Sequence, residues 1–190
     1  STAHPDFVAA DLLSQAEHGA DSQVLLISDS EQLILAVGEA LKIQLAALPR
    51  HDFARQSLEN SCALVVNNID EALSWANDYA PEHLILAVAN PAYWATRVTD
   101  AGSVFLGHYT PESAGDYASG TNHTLPTSGY ARAYAGVSLD SFLKKITFQQ
   151  ISPEGLAQLA PTIVAMAKAE GLEAHAKAIE VRIYPDLRDF

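Results

Sequence analysis

Leu84-Ile85-Leu86-Ala87-Val88, residues 84–88, is an uncharged apolar run bounded by polar residues and a proline. Its shortness and branched side chains read as a buried strand rather than a helix. Similar runs recur at Val24-Leu25-Leu26-Ile27, Cys62-Ala63-Leu64-Val65-Val66 and Ser103-Val104-Phe105-Leu106. Helical patterns separate them. Residues 30–48 open at Asp29 or Ser30 and stop before Pro49, 51–59 form a shorter polar helix, and 70–79 start at Asp70 as a cap. Pro91 begins a further helix over 91–100. Strands alternating with helices predict an α/β domain with a mostly parallel sheet. In such sheets chemistry collects where strands end and loops begin.

Working outward, Phe7, Val8, Leu12, Leu13 and Ala16 form one stripe of a first helix over 6–18, with Gly19 as its stop. Beyond the last strand the pattern breaks. Residues 107–137 hold five Gly, two Pro and four Tyr, and a loop of that length is functional or disordered; the tyrosines favour order. Residues 138–146 read as a short helix running into a strand. Two helices follow, over 152–170 and 172–183, with Pro161 bending or dividing the first.

The chain has 190 residues, 23 acidic against 11 basic, and a net charge of −12. That balance repels nucleic acid and anionic membrane surfaces, so neither is an expected partner. Lys144-Lys145 reads as a solvated surface pair. No apolar stretch reaches the roughly 18 residues of a membrane span, and no basic head with an apolar core marks a signal peptide. Cys62 stands alone, so no internal disulfide forms. It reads as a buried strand thiol, and a cytoplasmic setting is expected. The chain lacks an initiator Met, which fits a processed product or a piece of something longer.

Four polar groupings carry chemistry. Gln15 and His18 are three apart on the first helix and share a face, where an imidazole and an amide oxygen can hold a metal; a plain polar helix end is the alternative. Glu82 and His83 follow Pro81 just ahead of a strand. Adjacent residues on an extended chain point to opposite sides, so they can serve two protons, or a proton and a water; two exposed polar residues before a strand are the alternative. Gly107 to His123 sets Glu112, Asp116, His108 and His123 among glycines that let backbone approach a ligand. Glu170 and His175 flank the junction of the last two helices, where a solvated helix end is the alternative. A zinc site built from Gln, His, Asp and His would need distant segments to converge.

Leu12-Leu13-Ser14-Gln15-Ala16-Glu17-His18-Gly19, Pro81-Glu82-His83-Leu84, Pro111-Glu112-Ser113-Ala114-Gly115-Asp116-Tyr117 and Gly120-Thr121-Asn122-His123, continuing through Thr124-Leu125-Pro126-Thr127, together resemble histidinol dehydrogenase, with Glu170 and His175 falling at that family's last functional positions. The resemblance explains all four groupings at once. It implies oxidation of L-histidinol to L-histidine through L-histidinal, with NAD reduced twice. It implies Gln15, His18, Asp116 and His175 as ligands of one Zn2+ per site. His83 would take the alcohol proton and Glu82 would activate water. Gln15, His18, His83, Asp116, His123, Glu170 and His175 would bind substrate.

The resemblance further implies an incomplete Rossmann-like parallel sheet with helices on both faces over 1–137, a linking segment over 138–162, and a helical dimerisation segment over 163–190. In the implied homodimer the C-terminal segment crosses to the partner site. Family members are longer, and this chain resembles their carboxy-terminal part. No Gly-rich dinucleotide fingerprint occurs here, so NAD contacts are expected mainly in the absent amino-terminal portion. The isolated chain is expected to be inactive or nearly so. A non-enzymatic zinc- or imidazole-binding dimerisation module, and a zinc hydrolase using Glu82, are the rival readings.

Overall fold

The computed structural model describes residues 2–184. The chain divides into two compact units, one ending at Leu143 and one starting at Lys144. The end of the expected dimerisation segment, residues 185–190, lies outside the described residues.

The first unit alternates helices and strands as the sequence predicts. Helix α1 spans Pro5–Ala16, strand β1 Leu25–Ser28, helix α2 Glu31–Ala47, helix α3 His51–Glu59 and strand β2 Cys62–Val65. Helix α4 follows at Ile69–Tyr79, strand β3 at His83–Leu86, helix α5 at Pro91–Ala95, strand β4 at Ser103–Leu106 and helix α6 at Glu112–Tyr117. The caps explain several starts. The Ser30 hydroxyl accepts the Leu33 N–H to open α2, and the Asn68 side chain accepts the Glu71 N–H to open α4. Asn68 thus takes the capping role expected of Asp70, which stands in the first turn and suits the helix dipole there.

The core lies between α1, α2 and α3. Ala9, Val37 and Ala40 pack with Leu12, Leu26, Leu33 and Leu41. Leu13, Ala16 and Ala54 pack with Leu41, Leu45, Leu48 and Leu58. Small residues at Ala9, Ala16, Ala40 and Ala54 let the helices approach closely. The fully buried Ser57 donates its hydroxyl to the Ser22 carbonyl at 2.9 Å, pinning α3 to the segment that leads into β1.

The strands form two parallel pairs, β1 with β2 and β3 with β4. Among the described residues these are separate two-stranded sheets, not one continuous sheet. Each strand has only four residues, and β2 presents Cys62, Ala63 and Val65 to the surface. Cys62 is therefore exposed, not the buried thiol that its apolar neighbours suggest. An edge strand paired on one side lacks the cover that would bury it.

The expected loop over 107–137 contains α6 and a 3-10 turn at Tyr130–Arg132. Residues 138–146 contribute a 3-10 turn at Leu139–Phe142, with no strand after it. The second unit is a pair of packed helices, α7 over Pro153–Ala169 and α8 over Glu173–Ile183. Ser152 caps α7 through the Gly155 N–H, and Pro161 is accommodated inside that helix, so the sequence break there does not divide it. No described helix is long and apolar enough to cross a membrane.

Candidate functional site

Burying Leu13 and Ala16 against α3 turns the next positions of α1 away from the core. Asp11, Ser14 and Gln15 occupy that other side, and Ser14 reaches α6, donating to the Glu112 carboxylate at 3.2 Å. His18 lies in the turn just past α1, not on the helix expected over 6–18. Its backbone is held: the His18 N–H donates to the Gln15 carbonyl at 3.2 Å, and Arg50 donates to the His18 carbonyl at 3.3 Å.

Pro81 and Glu82 are fixed from the β4 side. The Gly102 and Ser103 N–H groups donate to the Pro81 and Glu82 carbonyls, each at 2.9 Å. A Cβ on Gly102 would lie 2.6 Å from the Glu82 carbonyl oxygen, so only glycine permits this approach. Glu82 sits in a bend before β3, and His83 is the first residue of that strand. The Glu82 carboxyl interacts electrostatically with His83, His18, Asp116 and Glu112 alike.

Helix α6 carries Glu112, Gly115 and Asp116 on one face, spaced three and four apart. Gly115 is buried, and a Cβ there would come 2.6 Å from the Phe105 ring. The missing side chain lets α6 settle on β4. The Phe105 ring in turn lies 5.8 Å from the His83 ring. Glu112 is only 2 % exposed. His83 Nε2 stands 3.9 Å from Asp116 Oδ1.

One ligand atom each from His18, Glu112 and Asp116 lies within 4.8 Å of the others. Donors on a tetrahedral zinc are about 3.4 Å apart, so His18 and Asp116 stand close to what one ion requires, with the Glu112 carboxyl beside them. Two further nitrogens, Gln15 Nε2 and His83 Nε2, are buried without a hydrogen-bond partner. Buried polar atoms are ordinarily satisfied; the Gln15 NH2 can only donate, which leaves the amide oxygen for a cation, and the His18 imidazole with the Asp116 carboxylate adds the nitrogen and oxygen donors that zinc takes. The residues present therefore fit a zinc ion.

The electrostatics point the same way. Burial, with a smaller push from Glu112, raises the Asp11 carboxyl to about 6. Burial also raises Glu82, against the opposing pull of His83 and His18. Burial and then the Asp116 hydrogen bond raise Glu112. Burial lowers His83, keeping its imidazole neutral near pH 7 and able to accept a proton. Carboxyls crowded together resist ionising in the absence of a cation, and a metal would relieve them.

The structure thus brings Gln15, His18, Glu82, His83 and Asp116 together. His123 lies in an exposed segment of the first unit. Glu170 is the C-cap of α7, and His175 lies in the first turn of α8, both in the second unit. The sequence places Glu112 in the Gly-rich grouping without a specific role and does not single out Asp11 or Ser14. A signal existed: Asp11, Ser14, Gln15 and His18 fall at helical spacing, as do Glu112 and Asp116.

The family model described as histidinol dehydrogenase matches residues 1–183. The chain is 60 % identical over 183 residues to a histidinol dehydrogenase of Bacteroides thetaiotaomicron, covering 96 % of this chain and 43 % of that protein. It is 57 % identical over 181 residues to the histidinol dehydrogenase of Xanthomonas axonopodis pv. citri, covering 95 % and 42 %. A crystal structure of histidinol dehydrogenase from Elizabethkingia anophelis superposes with a TM-score of 0.91 at 54 % identity, over 97 % of this chain and 43 % of that one. The chain spans less than half the length of the curated relatives it matches.

Proposed function

This chain belongs to the histidinol dehydrogenase family, and from that premise we propose that it carries the metal-holding and proton-handling part of an enzyme oxidising L-histidinol to L-histidine with NAD. The observation that carries this reading is the meeting of Gln15, His18, Glu82, His83 and Asp116, which come from three separate stretches of sequence. A hydrolase would need water activation alone. The half-buried His83 beside Glu82, its imidazole pushed toward the neutral form by desolvation, supplies a second proton acceptor, as an alcohol oxidation requires.

Gln15, His18 and Asp116 would hold zinc, with His175 of a second subunit as fourth ligand. When bound, zinc orients the substrate and NAD accepts hydride. His83 takes the hydroxyl proton as the carbinol carbon gives up hydride, leaving the aldehyde. Glu82 then draws a proton from the water that adds to the aldehyde. His83, its first proton released to solvent, receives the hydrate's hydroxyl proton as a second hydride leaves, yielding the carboxylic acid. Atoms and electrons balance with two NAD reduced per histidinol. His123 and Glu170 are assigned to substrate contacts from a partner subunit, in a cytoplasmic homodimer. No residue of this chain is assigned to NAD, and the isolated chain is expected to be inactive.

The test is calorimetric titration of the chain with Zn2+ and then L-histidinol, beside an assay of NADH formation. The expected result is zinc uptake that His18→Ala weakens, with no turnover. Equal zinc uptake by wild type and His18→Ala overturns the metal assignment. Rapid NADH formation by this chain alone overturns the assignment of inactivity.

A further inference from the structure

We infer that Glu112 is a positioning residue of this site rather than a metal ligand: it holds Gln15 and Asp116 in place through hydrogen bonds. The inference rests on the zinc reading above. Glu112 is among the few buried polar residues described, at 2 % exposure, and a carboxyl so placed requires hydrogen-bond partners. The site residues themselves provide them. Ser14 donates to Oε2 at 3.2 Å, sharing its proton with the Asp11 carbonyl at 2.8 Å. Asp116, one helical turn further along α6, brings a carboxylate oxygen within 4.8 Å of the Glu112 carboxyl, and Asp116 and Gln15 both act on that carboxyl as polar neighbours.

The Gln15 amide makes the arrangement directional. Its Nε2 is buried and has no partner of full hydrogen-bond geometry. A glutamine that offers its oxygen to a metal must turn its NH2 into the protein, and the carboxyl beside it there is Glu112. Gripping that NH2 fixes which way the amide faces. The bond to Asp116 likewise fixes one carboxylate oxygen and leaves the other for the ion. Such outer partners commonly govern ligand orientation and metal affinity. Although Glu112 has an oxygen close to His18 and Asp116, its Oε2 already accepts from Ser14, and its place between Gln15 and Asp116 suits holding those ligands.

Glutamine at position 112 keeps this pattern. Its oxygen accepts from Ser14 and Gln15, and its NH2 donates to Asp116. Glu112→Ala removes every bond, and Glu112→Met removes them at nearly constant volume. The experiment measures Zn2+ affinity of the full chain by chelator competition, with the visible spectrum of bound Co2+ and the melting temperature of the metal-free protein. Glu112→Ala should bind zinc about 10- to 100-fold more weakly, with a changed Co2+ spectrum. Glu112→Met does the same and replaces it should the alanine variant fail to fold. Glu112→Gln should stay within about threefold of wild type, its Co2+ spectrum preserved.

Equal binding by wild type and Glu112→Met would overturn the role of Glu112 while leaving the zinc reading intact. Glu112→Gln as weak as Glu112→Met would make Glu112 a ligand and overturn the inference. A wild-type chain that takes up neither metal would overturn the zinc reading and the inference together.

Discussion

At the scale of single residues, the site is a set of acids held against their preference. Asp11 shows the consequence most simply. Burial first and the Glu112 charge second raise its carboxyl to about 6, against an unfolded value of about 3.9. A carboxyl with a raised folded pKa binds its proton better when folded. Its stabilising contribution is therefore complete below about pH 4 and is lost as pH rises through 6. Asp11→Asn removes that dependence. In the metal-free protein, melting temperature should rise in Asp11→Asn relative to wild type at pH 7, and the gap should close by pH 4.5. The effect is modest, because Asp11 is partly exposed and solvent screens it. A gap that widens toward acid pH would contradict the argument. His83 provides the complementary case. Its imidazole sits in the site without a partner on Nε2, so His83→Asn should spare zinc affinity while abolishing proton transfer. In a full-length homologue carrying the same change, turnover with NAD should fall by about 10²- to 10⁴-fold, with zinc content unchanged by metal analysis.

At the scale of elements, α6 is the piece whose geometry the site depends on most. Its buried Gly115 faces Phe105, and that ring borders His83. Gly115→Ala forces ring and helix apart, costing about 1–3 kcal/mol by overpacking. Denaturant unfolding should show that loss, and zinc affinity should drop with it because Asp116 moves. Unchanged stability would mean the ring gives way freely. This element was also the hardest to read from sequence. Glycines at 107, 115, 120, 129 and 136 mark the segment as loop, whereas a helix of only six residues needs little propensity once tertiary packing supports it. Strands β1 to β4 were legible because short apolar runs between helices admit few other readings. Their division into two pairs was not, since pairing depends on contacts distant in sequence. Cys62 misled for the same reason: an apolar run says strand, but not which face is covered. The identities of Gln15, His18, Glu82, His83 and Asp116 were legible through motif resemblance. The role of Glu112 was hidden because it emerges only when α6 packs beside Ser14 and Gln15.

At the scale of the whole molecule, the acidic character has a local centre. Asp11, Glu82, Glu112 and Asp116 gather in a chain of net charge −12, and a bound cation offsets their repulsion. Metal binding at such a site stabilises the folded state and releases protons. The proposed fourth ligand extends this coupling beyond one chain. If the partner subunit's His175 completes the site, zinc prefers the dimer. Reciprocity then requires that zinc tighten dimerisation by the same factor that dimerisation tightens zinc binding. Coupling of this kind typically spans about 5- to 150-fold per site, and a symmetric dimer with two sites multiplies the two factors. Sedimentation equilibrium with and without Zn2+ measures this directly. Wild type should shift toward dimer when zinc is added, and His175→Ala should dimerise equally with or without metal. The variant's metal-free dimerisation should match wild type, because without zinc the His175 imidazole has no ion through which to join two chains. A zinc-driven shift that survives His175→Ala would place the coupling on another residue. A wild type that binds zinc with no change in assembly would confine the whole site to a single chain.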